Sequence, residues 1–144
     1  MKKLLLLFLV FLGLLSCKNS VQNRIVEAIR EKCVDGGCVI RLTDFTNFEW
    51  DKMYFFTVQA SNEEMSREMG IEYSGWSDMR SQIVFTFKDK IVHVEYVDYD
   101  PDKADKVIFG KENTSRCSSY AAENAGFLVE RVPLKEVSYY LIPQ

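Results

Sequence analysis

The 144-residue sequence predicts an α+β fold, a mostly antiparallel sheet of five to seven strands with an N-terminal helix packed on one face. Short segments that alternate apolar and polar residues are typical of half-buried strands. Two other segments have helical periodicity and capping signals. The order of the elements lacks the regular strand-helix-strand alternation of a parallel sheet, which favours the α+β class. A composition of 47% hydrophobic and 27% charged residues suits one globular domain.

The first helix is predicted from Val21 to about Cys33, with Ser20 as its N-cap residue. Its apolar residues recur at helical spacing and form one stripe: Val21, Ile25, Val26 and Ile29. A second, shorter helix is expected after Ser61 and Glu64, whose spacing is that of a capping box. Gly70 is expected to end it.

Strands are predicted at Cys38–Leu42, Trp50–Val58, Ile83–Phe87, Val92–Tyr96, Val107–Phe109, Phe127–Val132 and Val137–Ile142. The strand that begins at Trp50 has apolar residues on both faces, which places it in the middle of the sheet. The third and fourth strands form a hairpin, in which Val92, Val94 and Tyr96 alternate with His93 and Glu95. We expect His93 to lie on the surface and to be inert.

The N-terminal segment is typical of an export signal. Lys2 and Lys3 precede the apolar run Leu4–Leu15, which is too short to cross a bilayer as a helix. The next residues complete the box Leu14-Leu15-Ser16-Cys17, which resembles the lipobox of bacterial lipoprotein precursors. The resemblance implies cleavage before Cys17 and acylation of that residue.

The lipobox resemblance also implies how the chain is divided. Residues 1–16 would be a signal peptide, residues 17–18 the lipidated cysteine with a short tether, and residues 19–144 a single α+β domain. The expected location is the cell envelope, with the lipid bilayer bound through acylated Cys17. Asn19 replaces the acidic residue that retains some lipoproteins in the inner membrane, which favours the outer membrane facing the periplasm.

Three cysteines remain when Cys17 is acylated. Cys33 and Cys38 flank a Gly-Gly turn, and an exported domain meets an oxidising compartment, so a disulfide between them is the leading expectation. A bridge from Cys117 to either of them is the alternative. A zinc site that combines the cysteines with His93, the only histidine, would have unusual ligand spacing. We expect no metal and no cofactor.

The strongest candidates for partner binding are Tyr73 and Trp76, because aromatic residues in polar loops often anchor a partner protein. No catalytic signature is found. A carboxylate-based hydrolase would have to use acids from this set: Glu49, Asp51, Glu95 and Asp98. The acids Asp98, Asp100, Asp102 and Asp105 match an EF-hand calcium loop only in their alternation. Lys103 and Phe109 stand where that loop needs Gly and Glu.

A second resemblance covers roughly Thr43 to Val97. Its Thr-x-Phe-x-Trp-Asp-x-x-Tyr-x-Phe strand, from Thr46 to Phe56, and the Phe85-x-Phe87 hairpin are similar to a pattern in small exported bacterial proteins of unassigned function. This implies a shared fold and no activity. The helix and sheet behind a lipobox are also loosely similar to the small accessory lipoprotein of the outer-membrane barrel-assembly machinery.

The predicted function is therefore a non-enzymatic, membrane-anchored protein-binding module. Its partner would be an envelope-assembly component, or a toxin or hydrolase for which the chain is an immunity protein or inhibitor. Removal of residues 1–16 takes away two lysines and no acid, so the formal charge changes from -3 to -5. This favours a basic partner and gives no support for nucleic-acid binding. An apolar ligand carrier is the alternative to the protein-binding module.

Overall fold

The computed structural model describes residues 20–33, 37–98, 107–110, 115–132 and 138–144. Within these ranges the chain forms two helices and eight strands in two four-stranded sheets. The α+β class, the mostly antiparallel pairing and the N-terminal helix are confirmed. The strands are more numerous than the sequence predicts, and they divide between two sheets.

The helices are α1 (Val21–Lys32) and α2 (Asn62–Met69). The strands are β1 (Val39–Arg41), β2 (Lys52–Phe56), β3 (Arg80–Phe87), β4 (Lys90–Asp98), β5 (Val107–Phe109), β6 (Cys117–Ala121), β7 (Gly126–Arg131) and β8 (Tyr139–Pro143). Short 3-10 turns occupy Leu42–Phe45 and Ala122–Asn124. No helix within the described ranges has the length and apolar content needed to cross a membrane.

Sheet A has the strand order β1-β7-β8-β5, and sheet B has the order β4-β3-β2-β6. All neighbouring strands are antiparallel except β5 and β8, which are parallel. The predicted central strand is confirmed, because β2 pairs with both β3 and β6. Strand β6 lies in a segment where the sequence predicts no strand. Its residues Cys-Ser-Ser-Tyr-Ala are small and polar, so they lack the apolar alternation that signals a strand.

Sheet B is a central layer with a covered surface on each side. Its inner face packs with sheet A and with the apolar stripe of α1 in one cluster that includes Phe55, Phe85, Phe109 and Phe127. Its outer face packs in a second cluster under Met65 and Met69 of α2. Each fully buried side chain of this size contributes roughly 2 kcal/mol by leaving water, so these two clusters hold the layers together.

The helix ends follow the predicted caps. The Ser20 hydroxyl accepts a hydrogen bond from the Asn23 backbone N–H. Ser61 and Glu64 form the reciprocal capping box at the start of α2. Gly70 ends α2 with a φ of 68°, a left-handed conformation that glycine adopts without strain.

The predicted disulfide between Cys33 and Cys38 is present, with the two Cα atoms 5.4 Å apart. It joins the C-cap of α1 to the residue before β1, across residues 34–36, which lie outside the described ranges. Cys117 is a half-buried free thiol, so the alternative pairing with Cys117 is wrong.

Candidate functional site

An exposed patch of large side chains lies beside the outer face of sheet B, and we call it the aromatic surface. It consists of Trp76, Met79, Arg80 and Tyr96. Trp76 is 47% exposed, Met79 51% and Tyr96 46%. The Tyr96 hydroxyl donates to the Gly75 carbonyl at 3.3 Å, and the Arg80 guanidinium carbon lies 5.7 Å from the Tyr96 ring centre. Trp76 follows Gly75 directly, so these contacts bring it close to Arg80 and Tyr96.

The segment between α2 and β3 has no regular secondary structure, yet α2 fixes it at two points. The Tyr73 N–H donates to the Ser66 hydroxyl at 2.9 Å, and this hydroxyl donates to the Tyr73 carbonyl at 3.1 Å. The Trp76 N–H donates to Asn62 Oδ1 at 2.9 Å. The backbone that presents Trp76 is therefore held in place before any partner binds, which lowers the entropic cost of binding.

Tyr73 supports the aromatic surface from below. Its hydroxyl donates to Gln82 Oε1 at 2.6 Å, and Gln82 is almost fully buried. Burial, and next the hydrogen bond with Tyr96, raise the pKa of the Tyr73 hydroxyl well above its usual value. Gly75 crosses the Tyr73 ring so closely that a Cβ atom at Gly75 would overlap it. Of the two residues that the sequence singles out for partner binding, Trp76 is exposed and Tyr73 is half-buried.

Arg80 and Tyr96 were not singled out from the sequence. Arg80 begins β3 and forms an ion pair with Asp98 on the neighbouring strand, with a nitrogen-oxygen distance of 2.7 Å. Tyr96 lies on β4, which is an edge strand of sheet B among the described strands. The aromatic surface thus combines Trp, Tyr and Arg, the residue types that are enriched among the residues that dominate binding energy in protein interfaces.

The sequence predicts His93 on the surface, but the side chains of His93 and Glu95 on β4 face the core. Glu95 is buried and His93 is only one-third exposed, whereas Val92 and Tyr96 are exposed. Glu95 Oε1 accepts a hydrogen bond from the Val21 N–H at 2.5 Å, and Oε2 accepts one from the Gln22 N–H at 3.3 Å. The first turn of α1 has backbone donors without intrahelical partners, so a carboxylate at this position is stabilised.

His93 is therefore not the surface residue that the sequence predicts. Its Nε2 atom lies 3.0 Å from Glu95 Oε1, and its ring stacks on Phe48 with 4.7 Å between ring centres. A register shift in β4, opposite Phe85 and Thr86, precedes this residue. Because Glu95 also binds the start of α1, the His93–Glu95 pair has a clear structural role.

Two of the other candidate carboxylates, Asp51 and Asp98, have separate protein partners. Asp51 Oδ2 accepts a hydrogen bond from the Lys88 N–H at 2.7 Å. Asp98 pairs with Arg80, and Glu49 is exposed. Within the described ranges no group of three metal-binding side chains occurs. The acidic alternation continues at Asp100, Asp102 and Asp105, which lie outside those ranges.

Two of the grooves in the described part of the chain bear on the ligand-carrier hypothesis. One has a volume of about 520 Å³ and lies beside β1 and the 3-10 turn at Ala122, where Arg41, Glu123 and Gln144 contribute to its lining. The other has a volume of about 290 Å³, and its lining includes Asp51 and Asp89. Both are open and largely polar, whereas a carrier of apolar molecules needs an enclosed apolar cavity. They give no support to the ligand-carrier hypothesis.

Comparison with protein-family models, with curated proteins and with solved structures gives no match to this chain. The function is therefore inferred from the residues and the geometry described above.

Proposed function

We propose that this chain is a lipid-anchored protein of the bacterial envelope that binds another protein through the aromatic surface. Three large side chains of this surface, Trp76, Met79 and Tyr96, are close to half exposed. Single exposed apolar side chains are common on soluble domains, whereas clustered ones mark binding sites. This clustering on a fixed backbone is the observation that carries the proposal.

The anchoring part of the proposal depends on the lipobox. A basic start, a short apolar run and the Leu-Leu-Ser-Cys box agree at one place in the sequence. Acyl chains on Cys17 would contribute about 0.8 kcal/mol per buried CH₂ group, and two or more chains give stable attachment. A variant with Cys17→Ser is expected to lose labelled palmitate and to leave the membrane fraction. Retention of either property would contradict anchoring through Cys17.

Two kinds of partner fit the proposal, an envelope-assembly component and a toxin or hydrolase that the chain inhibits. The formal charge of -5 on the body that follows residue 16 favours a basic partner in both cases, because opposite charge speeds the encounter. Cross-linking in intact cells, followed by mass spectrometry of the product, would separate the two.

The binding surface is tested by Trp76→Ala, with Val39→Ala as the matched control. Val39 is an exposed apolar residue on β1, away from the aromatic surface. We expect Trp76→Ala to remove the cross-linked product and Val39→Ala to retain it, because truncation of a central interface tryptophan typically costs at least 2 kcal/mol of binding energy. Both variants should melt at the temperature of the parent chain. A product that survives Trp76→Ala, or a clearly lowered melting temperature for that variant, would contradict the proposal.

A further inference from the structure

A buried amide lies beside the aromatic surface, on the outer face of sheet B. Gln82 on β3 is 1% exposed, and it pairs with Phe56 on one side and with Tyr96 on the other. Phe56 belongs to the apolar cluster under α2, so the position suits an apolar side chain. Burial of an amide in such surroundings destabilises the fold unless its polar atoms are hydrogen-bonded.

Only half of the Gln82 amide is satisfied within the described ranges. Its Oε1 atom accepts the 2.6 Å hydrogen bond from the Tyr73 hydroxyl, whereas its Nε2 atom has no partner among the described residues. A methionine of similar size would fill this place without an unpaired donor. Stability of the sheet therefore does not account for a glutamine here, and what the glutamine adds is its contact with Tyr73.

The Tyr73 hydroxyl connects Gln82 to both parts of the aromatic surface. On the strand side it is hydrogen-bonded with Tyr96. On the side of the irregular segment it lies so close to Gly75 that a Cβ atom there would overlap it. The Tyr96 hydroxyl in turn donates to the Gly75 carbonyl at 3.3 Å. Displacement of the Tyr73 hydroxyl would therefore disturb Tyr96 and also the residue directly before Trp76.

The segment from Tyr73 to Trp76 depends on such side-chain contacts, because it has no regular secondary structure. Ser66 and Asn62 hold its backbone at the two ends. One further buried hydrogen bond shifts the equilibrium between a fixed and a loose segment by about fivefold. A loose segment must be ordered when a partner binds, which weakens binding.

We propose that Gln82 is a positioning residue of the aromatic surface, and that it acts through the Tyr73 hydroxyl to hold Trp76 and Tyr96 in their binding arrangement. This inference rests on the proposed binding role of the surface. Gln82 is itself too deeply buried to touch a partner. The buried amide lowers the stability of the sheet and raises the order of the surface beside it.

The first test replaces both members of the contact, Gln82→Met together with Tyr73→Phe, in the full chain. This double variant leaves neither side of the contact with an unpaired polar group, so its melting temperature should stay within about 3 °C of the parent value. The chain has two tryptophans, so NMR relaxation after isotopic labelling of tryptophan alone reports on Trp76, with the buried Trp50 as internal reference. In the purified chain in detergent, we expect the order parameter of the Trp76 amide to fall from about 0.85 to about 0.6, and that of Trp50 to stay unchanged.

Binding is measured in intact cells as the yield of the cross-linked product described above. We expect the double variant to lower this yield about fivefold, because the segment must now be ordered on binding. Thr86→Val is the matched control, since Thr86 is a buried residue of the same strand whose hydroxyl donates to Asp51 Oδ1 at 3.3 Å. This control should leave the Trp76 order parameter and the yield unchanged.

Gly75→Ala is a second test that does not alter the buried pair. The added Cβ atom would displace the Tyr73 hydroxyl from Gln82, so both losses should recur, and this variant decides the outcome if the double variant does not fold. An order parameter of Trp76 or a yield that stays at the parent value would overturn the positioning role and leave the aromatic surface as a binding site. Equal losses in the Thr86→Val control would also overturn it. Absence of any product from the parent chain would contradict the proposed function, and the order parameter would then decide alone whether Gln82 positions the segment.

Discussion

Replacement of Glu95 tests how the start of α1 is attached to sheet B. Glu95→Ala removes the acceptor of the 2.5 Å hydrogen bond from the Val21 N–H and of the longer bond from the Gln22 N–H. Val21 itself is buried, so its N–H would lose a charged acceptor in a place that water reaches poorly. A hydrogen bond to a charged group contributes about 1.5–3 kcal/mol, and a partly buried anion at a helix N-terminus up to about 2 kcal/mol.

These two contributions describe largely the same contact, so we expect Glu95→Ala to lower the free energy of unfolding by about 3 kcal/mol, not by their sum. Glu95→Gln keeps an acceptor oxygen and loses the charge, and about half of that loss is expected. For a domain of this length, about 3 kcal/mol corresponds to a melting temperature roughly 12 °C lower.

Urea unfolding followed by tryptophan fluorescence is a suitable assay, because Trp50 is buried in the same cluster as α1. Glu27→Ala is the matched control, since Glu27 is an exposed acid on the same helix and its replacement should change stability by less than about 0.5 kcal/mol. If Glu95→Ala lost less than about 1 kcal/mol, the carboxylate would not be the main attachment of the helix start.

Two further predictions concern the cysteines. Replacement of both Cys33 and Cys38 by serine is expected to lower the free energy of unfolding by roughly 2 kcal/mol in urea, because the disulfide closes a short loop in the unfolded chain; a loss near zero would contradict this. Burial, and next the charge of Glu68, raise the pKa of the Cys117 thiol to about 11. Cys117 in the folded chain should therefore react with iodoacetamide about a hundredfold more slowly at pH 8 than in denaturant, and equal rates would place the thiol in water.

The features of the fold that could be predicted are those that depend on residues close together in the sequence. The caps at Ser20 and Ser61 and the positive φ at Gly70 are local interactions, and each is found as predicted. The turn between β3 and β4 is also local, and Lys88 and Asp89 both adopt positive φ there. Division of the strands between two sheets depends on which distant segments pair, and short apolar patterns do not specify this.

In the candidate site, too, local features could be predicted from the sequence and features that depend on distant contacts could not. Trp76 could be found from the sequence because an aromatic residue in a polar segment stands out by itself. Tyr96 could not, since alternation along β4 shows only that Tyr96 and Glu95 point in opposite directions. The choice between the two faces is made by α1, whose first turn needs an acceptor that Glu95 supplies. Burial of the Glu95 carboxylate turns Tyr96 outward toward Gly75 and Arg80. The contact that fixes the start of α1 is thus also the contact that exposes part of the proposed binding surface.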